Sequence, residues 1–322
     1  MVPQQSKTYR WIHGGLICFG IILIFILCYT VGFRVILDSL EKVKFHFFAI
    51  VSIALGWHFF NTLAWFTILP RHKDVSFFKL LRVKIKGEAF NALTPFGVAG
   101  GEPLRVWLIH HHYSVREGTV SVILDKAINF FSGFCFLMFG LPISLSILYP
   151  KMSPLYVLGG ILCALFLVVI FVDKNQGKFL FLVLKLIRFF RLTFLDRFEG
   201  DLIQMDDYFS HFYRSHKKKF LLCFVFNITG LSLGAFEIFY ILWVLDSYVS
   251  YFSAYLIETF IIFVNIFSVF IPGSLGAAEG GIYLFLSALG FSPEIGLSLG
   301  LIRRIRIIFW SIVGVIIPIN KR

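Results

Sequence analysis

Residues 94–105 read TPFGVAGGEPLR, and the chain on both sides of them is strongly apolar. A lipid-facing helix has no use for two prolines, three glycines and a carboxylate–arginine pair in so short a stretch. Residues 271–281, IPGSLGAAEGG, repeat the spacing: Glu102 follows Pro95 by seven positions, and Glu279 follows Pro272 by seven. Small residues fill both intervals. Each separates two apolar arms, and Ile282–Phe291, the second arm of the later copy, is too short to span a membrane.

Irregular backbone at membrane depth is tolerated only where protein or a water-filled cavity satisfies its polar groups. Two such breaks in corresponding halves of a chain predict a transporter-like binding site built from interrupted helices. The second arm of each copy begins just after the glycines. Its N-terminus then turns N–H groups and a positive dipole end towards the centre, which suits a phosphate or another anion. The plainer reading stays open at this stage: tight turns between short helices, with Gly and Ala present for packing.

Composition sets the class. The chain has 322 residues, 58% of them hydrophobic and 41 of them Phe, with a mean hydropathy of +0.84, which points to an all-α polytopic membrane protein. The net charge of +12 does not imply nucleic acid, because the basic residues cluster between apolar spans. The positive-inside rule accounts for that clustering, and anionic phospholipids are the next candidate partner. Cys18, Cys28, Cys135, Cys163 and Cys223 all lie in apolar runs without metal-ligand spacing and read as packing residues.

Hydropathy predicts about six full spans of roughly 20 residues: Ile12–Phe33, Phe47–Leu69, Val120–Tyr149, Leu155–Val172, Phe220–Leu245 and Ile295–Ile319. The first carries no cleavage site and reads as a retained span. The third is long for one straight span, and Pro142 offers a kink or break. Two re-entrant helical hairpins, at 77–110 and 252–291, add to these and are related by an internal, inverted repeat. A single membrane domain therefore covers 1–322. Its first half is 1–173, a basic amphipathic segment occupies 174–219, and the second half is 220–322. Arg71–Lys86 and Lys174–Lys219 are rich in Lys and Arg, which places both segments and both termini in the cytoplasm. Within the second of them, Lys185, Arg188 and Arg191 recur at helical spacing among Phe and Leu. They form either a lipid-headgroup surface or a helix packed under the bundle.

Ionisable residues inside apolar spans are expensive and mark a site or a pathway. The set here is Glu102, Arg105, Asp125, Lys126, Glu237, Glu258, Glu279, Arg303, Arg304 and Arg306. Glu102 and Arg105 stand i, i+3 on a helix and are expected to pair. Asp125 and Lys126 point apart and seek separate partners, and the fork of Arg303 suits a phosphate or a buried glutamate such as Glu279. A closed set of structural ion pairs is the alternative. The candidate substrate-binding residues are Asn91, Pro95, Gly97, Gly100, Gly101, Glu102, Arg105, Asp125, Lys126, Pro272, Gly273, Gly276, Glu279, Arg303 and Arg304. Consecutive His110, His111 and His112 point around a helix rather than to one side and read as an interfacial polar cluster, so no metal and no cofactor are expected.

The segments FNALTPFGVAGGEPLRVWLI, VSVILDKAINFFSG, PGSLGAAEGG and LIRRIRIIFWSIVG together resemble the lysylphosphatidylglycerol synthase transmembrane family. That family supplies the flippase portion of the bacterial multiple peptide resistance factor and many stand-alone membrane proteins. Its members typically carry an aspartate–arginine pair where this chain has Asp125–Lys126. The soluble aminoacyl-transfer domain of the full-length synthases is expected to be missing. The resemblance implies a flippase of the bacterial inner membrane that moves an anionic or phosphate-bearing lipid, such as a phospholipid or a polyprenyl phosphate. A lipid-modifying enzyme using Glu102 or Glu279 as general base is an alternative. So is an accessory partner of a glycosyltransferase or lipid synthase, and a homodimer is compatible with any of the three.

Overall fold

The computed structural model describes residues 41–70, 75–93, 100–152, 158–160, 208, 211–267 and 276–318. Among them the chain is helical, without strands. The first half contributes α1 (His46–Ile68), α2 (Phe77–Leu93), α3 (Gly101–Ile109) and α4 (Val115–Leu148); the second contributes α5 (Lys217–Val244), α6 (Tyr251–Phe267), α7 (Ala277–Ala288) and α8 (Pro293–Ile316).

Helices α1, α4 and α5 are long and apolar enough to cross a membrane. The other expected spans fare differently. Ile12–Phe33 lies outside the described residues, as does most of Leu155–Val172. The last one forms α8, whose 24 residues suffice in length but which carries Arg303, Arg304 and Arg306. Pro142 does not break the third span, because α4 runs through it for 34 residues, about 51 Å at the helical rise. Helices α3 and α7, with 9 and 12 residues, are about 14 and 18 Å long and cannot cross a hydrocarbon core of about 30 Å.

Local chemistry sets several of the boundaries. Ser114 opens α4 with a reciprocal cap: its Oγ accepts from the Glu117 N–H at 3.2 Å, and its own N–H donates to Glu117 Oε2 at 2.9 Å. Gly276 opens α7 at φ +76°, a left-handed conformation that favours glycine, and its N–H donates to Glu279 Oε2 at 2.9 Å. Ser292 precedes α8 with Pro293 in its first turn, where the missing N–H costs nothing.

Side-chain contacts give the helix directions. Lys42 meets Asp246, His46 Nδ1 meets Tyr240 Oη at 2.7 Å, and Cys223 Sγ donates to the Ala64 carbonyl at 3.3 Å. Helices α1 and α5 are therefore antiparallel neighbours, and a Cβ on Gly230 would stand 2.9 Å from Asn61 Nδ2. Asn129 Nδ2 on α4 donates to Asn61 Oδ1 and Asn227 Oδ1, tying α1, α4 and α5 together. Pairs 61/129 and 65/121 make α4 antiparallel to α1. Val43 and Phe47 share a cavity wall with Ile302 and Ile305, and further along both helices His58 meets Trp310, so α8 runs the same way as α1.

The helices of the two halves pack in matching ways. Helix α2 pairs antiparallel with α3, where Gly87 lies against Arg105 and Asn91 against Gly101. Helix α6 pairs antiparallel with α7, where Val264 lies against Gly281 and Phe260 stacks on Phe285 at 4.6 Å. The long helix that ends each half packs on the other half's hairpin. Gly140 of α4 abuts Thr259 of α6, and Gly314 of α8 abuts Ile85 and Ala89 of α2.

Candidate functional site

Two groups of ion pairs lie inside this bundle, one in each half. In the first, Asp125 of α4 accepts from Lys84 of α2 at 3.1 and 2.9 Å, one bond to each oxygen, and from Arg105 of α3 at 2.7 Å. All three side chains are at most 3% exposed. Lys84 Nζ also donates to the Asn61 carbonyl at 2.8 Å, and the Arg105 guanidinium lies 4.1 Å over the Trp65 ring. Next to Asp125, Lys126 pairs with Glu102 at 2.8 Å. The buried amide of Asn91 braces the hairpin tip: its Oδ1 accepts from the Gly101 N–H at 2.6 Å, and its Nδ2 donates to Glu102 Oε1 at 3.4 Å.

The second group has the same layout. Arg303 of α8 pairs with Glu258 of α6 at 2.9 Å and approaches Glu237 of α5 at 4.0 Å. Its neighbour Arg304 pairs with Glu279 of α7 at 2.6 Å, and Arg306 pairs with Glu237 at 2.9 Å. In each half, the first of two adjacent residues on the closing helix reaches the first hairpin arm, and the second reaches the carboxylate that opens the second arm. The pair Lys84–Asp125 becomes Glu258–Arg303, with the charges exchanged between the helices.

A cavity of about 170 Å³ opens between α6, α7 and α8, lined by Glu258, Asn265, Glu279, Arg303, Arg304 and Arg306 with apolar Ile261 and Ile282. A second, apolar cavity of about 240 Å³ lies on another face of α8, against Val43, Lys44, Phe47, Ile302 and Ile305.

Several expectations need correction. Glu102 and Arg105 do not pair; each instead reaches α4, where Lys126 and Asp125 stand on different sides of the helix. Arg303 meets Glu258 rather than Glu279, which belongs to Arg304. The stretch Arg71–Lys86, read as a basic topology signal, runs into α2, where Lys84 is buried as a partner of Asp125. Lys84 escapes a reading of the sequence because it sits in a basic run that looks like a topology signal. Its apolar neighbours Val83 and Ile85, both buried, are the available clue. Gly100, Gly101 and Gly276 stand at the helix starts as expected. Pro95, Gly97, Pro272, Gly273, Lys185, Arg188 and Arg191 lie outside the described residues. His112 Nε2 lies 2.7 Å from Lys79 Nζ, and His110 stacks on Trp107. No cluster of His, Cys, Asp or Glu among the described residues could hold a metal ion.

The family model described as the lysylphosphatidylglycerol synthase TM region matches residues 11–314 of the chain. A UPF0104 membrane protein of Methanothermobacter thermautotrophicus is 25% identical over 328 residues, covering 93% of each chain. No solved structure matches.

Proposed function

The chain belongs to the lysylphosphatidylglycerol synthase transmembrane family, and from that premise we propose that it is a flippase for lipids with an anionic or phosphate-bearing headgroup. The observation that carries this reading is the cavity between α6, α7 and α8, where three arginines and two glutamates converge inside a bundle of apolar helices. At about 170 Å³ it is smaller than the roughly 300–1,000 Å³ of sites that bury a whole drug-sized molecule. It therefore suits a headgroup, with the acyl chains left outside; the apolar cavity on the neighbouring face of α8 supports that division.

The hairpins α2–α3 and α6–α7 act as re-entrant elements, and the two halves form an inverted repeat. The antiparallel pairing of α1 with α5 and the matched layout of the ion pairs support both statements. In the empty state Glu279 and Glu258 hold the arginines, so no charge is left alone in the membrane. An entering phosphate takes over Arg304 and Arg303, whose forks fit its oxygens. On this reading the basic segment around Lys185, Arg188 and Arg191 serves as the cytoplasmic lipid-headgroup surface. The positive-inside rule supports an orientation with the C-terminus of α8 on the cytoplasmic side.

A lipid-modifying enzyme would need a carboxylate ready to take a proton. Glu279 is committed through both oxygens, one to the Gly276 N–H and one to Arg304, and is unsuited to that role. Sided liposomes test the proposal. Arg304→Ala should abolish the movement of a fluorescent phosphatidylglycerol, and Arg304→Lys should restore only part of it, because an ammonium lacks the planar fork. Full transport by a folded Arg304→Ala protein would remove the site from consideration.

A further inference from the structure

The cluster around Lys84 carries a charge that its own members do not cancel. Lys84 and Arg105 bring two positive charges to one carboxylate, Asp125, in a setting at most 3% exposed. Arg105 Nε is buried and has no partner among the described residues. Lys126 does not change the balance, because it is matched by Glu102. Glu88, one turn along α2 and half-buried, bears on Lys84 electrostatically but makes no ion pair among the described residues. From α1 the cluster is faced by the Asn61 carbonyl and by His58, whose Nδ1 is buried without a hydrogen-bond partner among the described residues. From α8, Arg306 bears on His58 and is itself engaged by Glu237.

A net charge in such surroundings must be shed or matched. Arginine keeps its proton in proteins, and protonating Asp125 would increase the excess. Lys84 is the member through which the cluster can change charge. Without its proton, Arg105 and Asp125 form a neutral pair. With it, the cluster is cationic and favours an anion nearby.

We propose that Lys84 is a proton-binding site that couples the entry of an anionic headgroup to proton uptake, so that lipid and proton cross in the same direction. In the coupling step a proton from the aqueous phase adds to the Nζ lone pair, and the headgroup's negative charge balances it. The same proton leaves when the headgroup departs on the other side. The coupling rests on the flippase reading, and its test separates the two.

The full-length protein is reconstituted in phosphatidylcholine vesicles carrying fluorescent short-chain phosphatidylglycerol, and sidedness is read by quenching under an imposed pH gradient. One pH unit should drive an asymmetry of up to about tenfold at one proton per lipid. Lys84→Met and Lys84→Arg should each remove the dependence on the gradient, whereas His58→Gln should keep it. Lys84→Met leaves a neutral Arg105–Asp125 pair and is expected to fold, which its melting temperature checks. Wild-type flux that ignores the gradient, or gradient-driven flux that survives Lys84→Met, overturns the coupling and leaves the flippase reading standing. If no lipid moves at all, the flippase reading fails, and proton uptake in detergent decides the coupling. Adding short-chain phosphatidylglycerol should then draw protons from weakly buffered solution for the wild type and not for Lys84→Met. No uptake by the wild type overturns the proposal.

Discussion

Asp125 holds two cations at once, and that double engagement decides how substitutions around it behave. Asp125→Ala strands Lys84 and Arg105 in a dry setting, where breaking a buried pair typically costs about 3–5 kcal/mol. The melting temperature in detergent should fall sharply. Lys84→Met should cost much less, since the remaining pair stays matched, and adding it to Asp125→Ala should recover part of the loss. Equal losses for the two single variants would mean that Lys84 contributes as much to holding the bundle as Asp125 does. In the second half each cation has a carboxylate of its own, because α5, α6 and α7 supply Glu237, Glu258 and Glu279 to Arg306, Arg303 and Arg304.

The hairpins depend on how closely their two arms approach. A Cβ on Gly101 would collide with the Gly87 carbonyl and stand 3.0 Å from Asn91 Oδ1. Gly101→Ala should therefore force α3 away from α2 and loosen both Arg105 and Glu102. Gly133, in the interior of α4, has room to spare, since a Cβ there would meet nothing within 4 Å. Gly133→Ala should be neutral or stabilise by about 0.5–1 kcal/mol, the usual helix preference for Ala. Thermal unfolding of both variants checks the contrast, and a tolerated Gly101→Ala would show that the arms can separate without loss. At the other hairpin, Glu279→Gln keeps a group able to cap the Gly276 N–H but loses the charge on Arg304. Transport should suffer more than stability, as read by flux and melting temperature on the same preparation.

For the whole molecule, the helix directions make a sidedness prediction. Helix α4 runs antiparallel to α1, while α8 runs with it, so α4 and α8 should end on opposite faces of the membrane. Cysteines at exposed Lys151 and Pro318, each in a background without native cysteines, should react with an impermeant maleimide from opposite sides. Labelling from the same side would contradict the inverted arrangement of the halves. The arrangement agrees with the basic residues Lys217, Lys218 and Lys219, which start α5 at the same end of the bundle as the C-terminus of α8.

Composition and spacing were enough to read an all-helical membrane protein, its family, and the two proline–glycine signatures with a carboxylate seven residues on. Those features are local, because an apolar run must be helical in lipid and a glycine-rich break cannot be an ordinary span. The set of intramembrane charges was legible for the same reason, since each charge stands out against an apolar background. Their pairing was not. Glu102 and Arg105 look like partners at i, i+3, yet α4 passes close enough to give each a better counter-charge. Lys84 hid in a basic run until α2 carried it under Asp125. Only the tertiary packing could assign these partners, because Coulomb attraction in a dry interior depends on which helices meet and not on sequence separation.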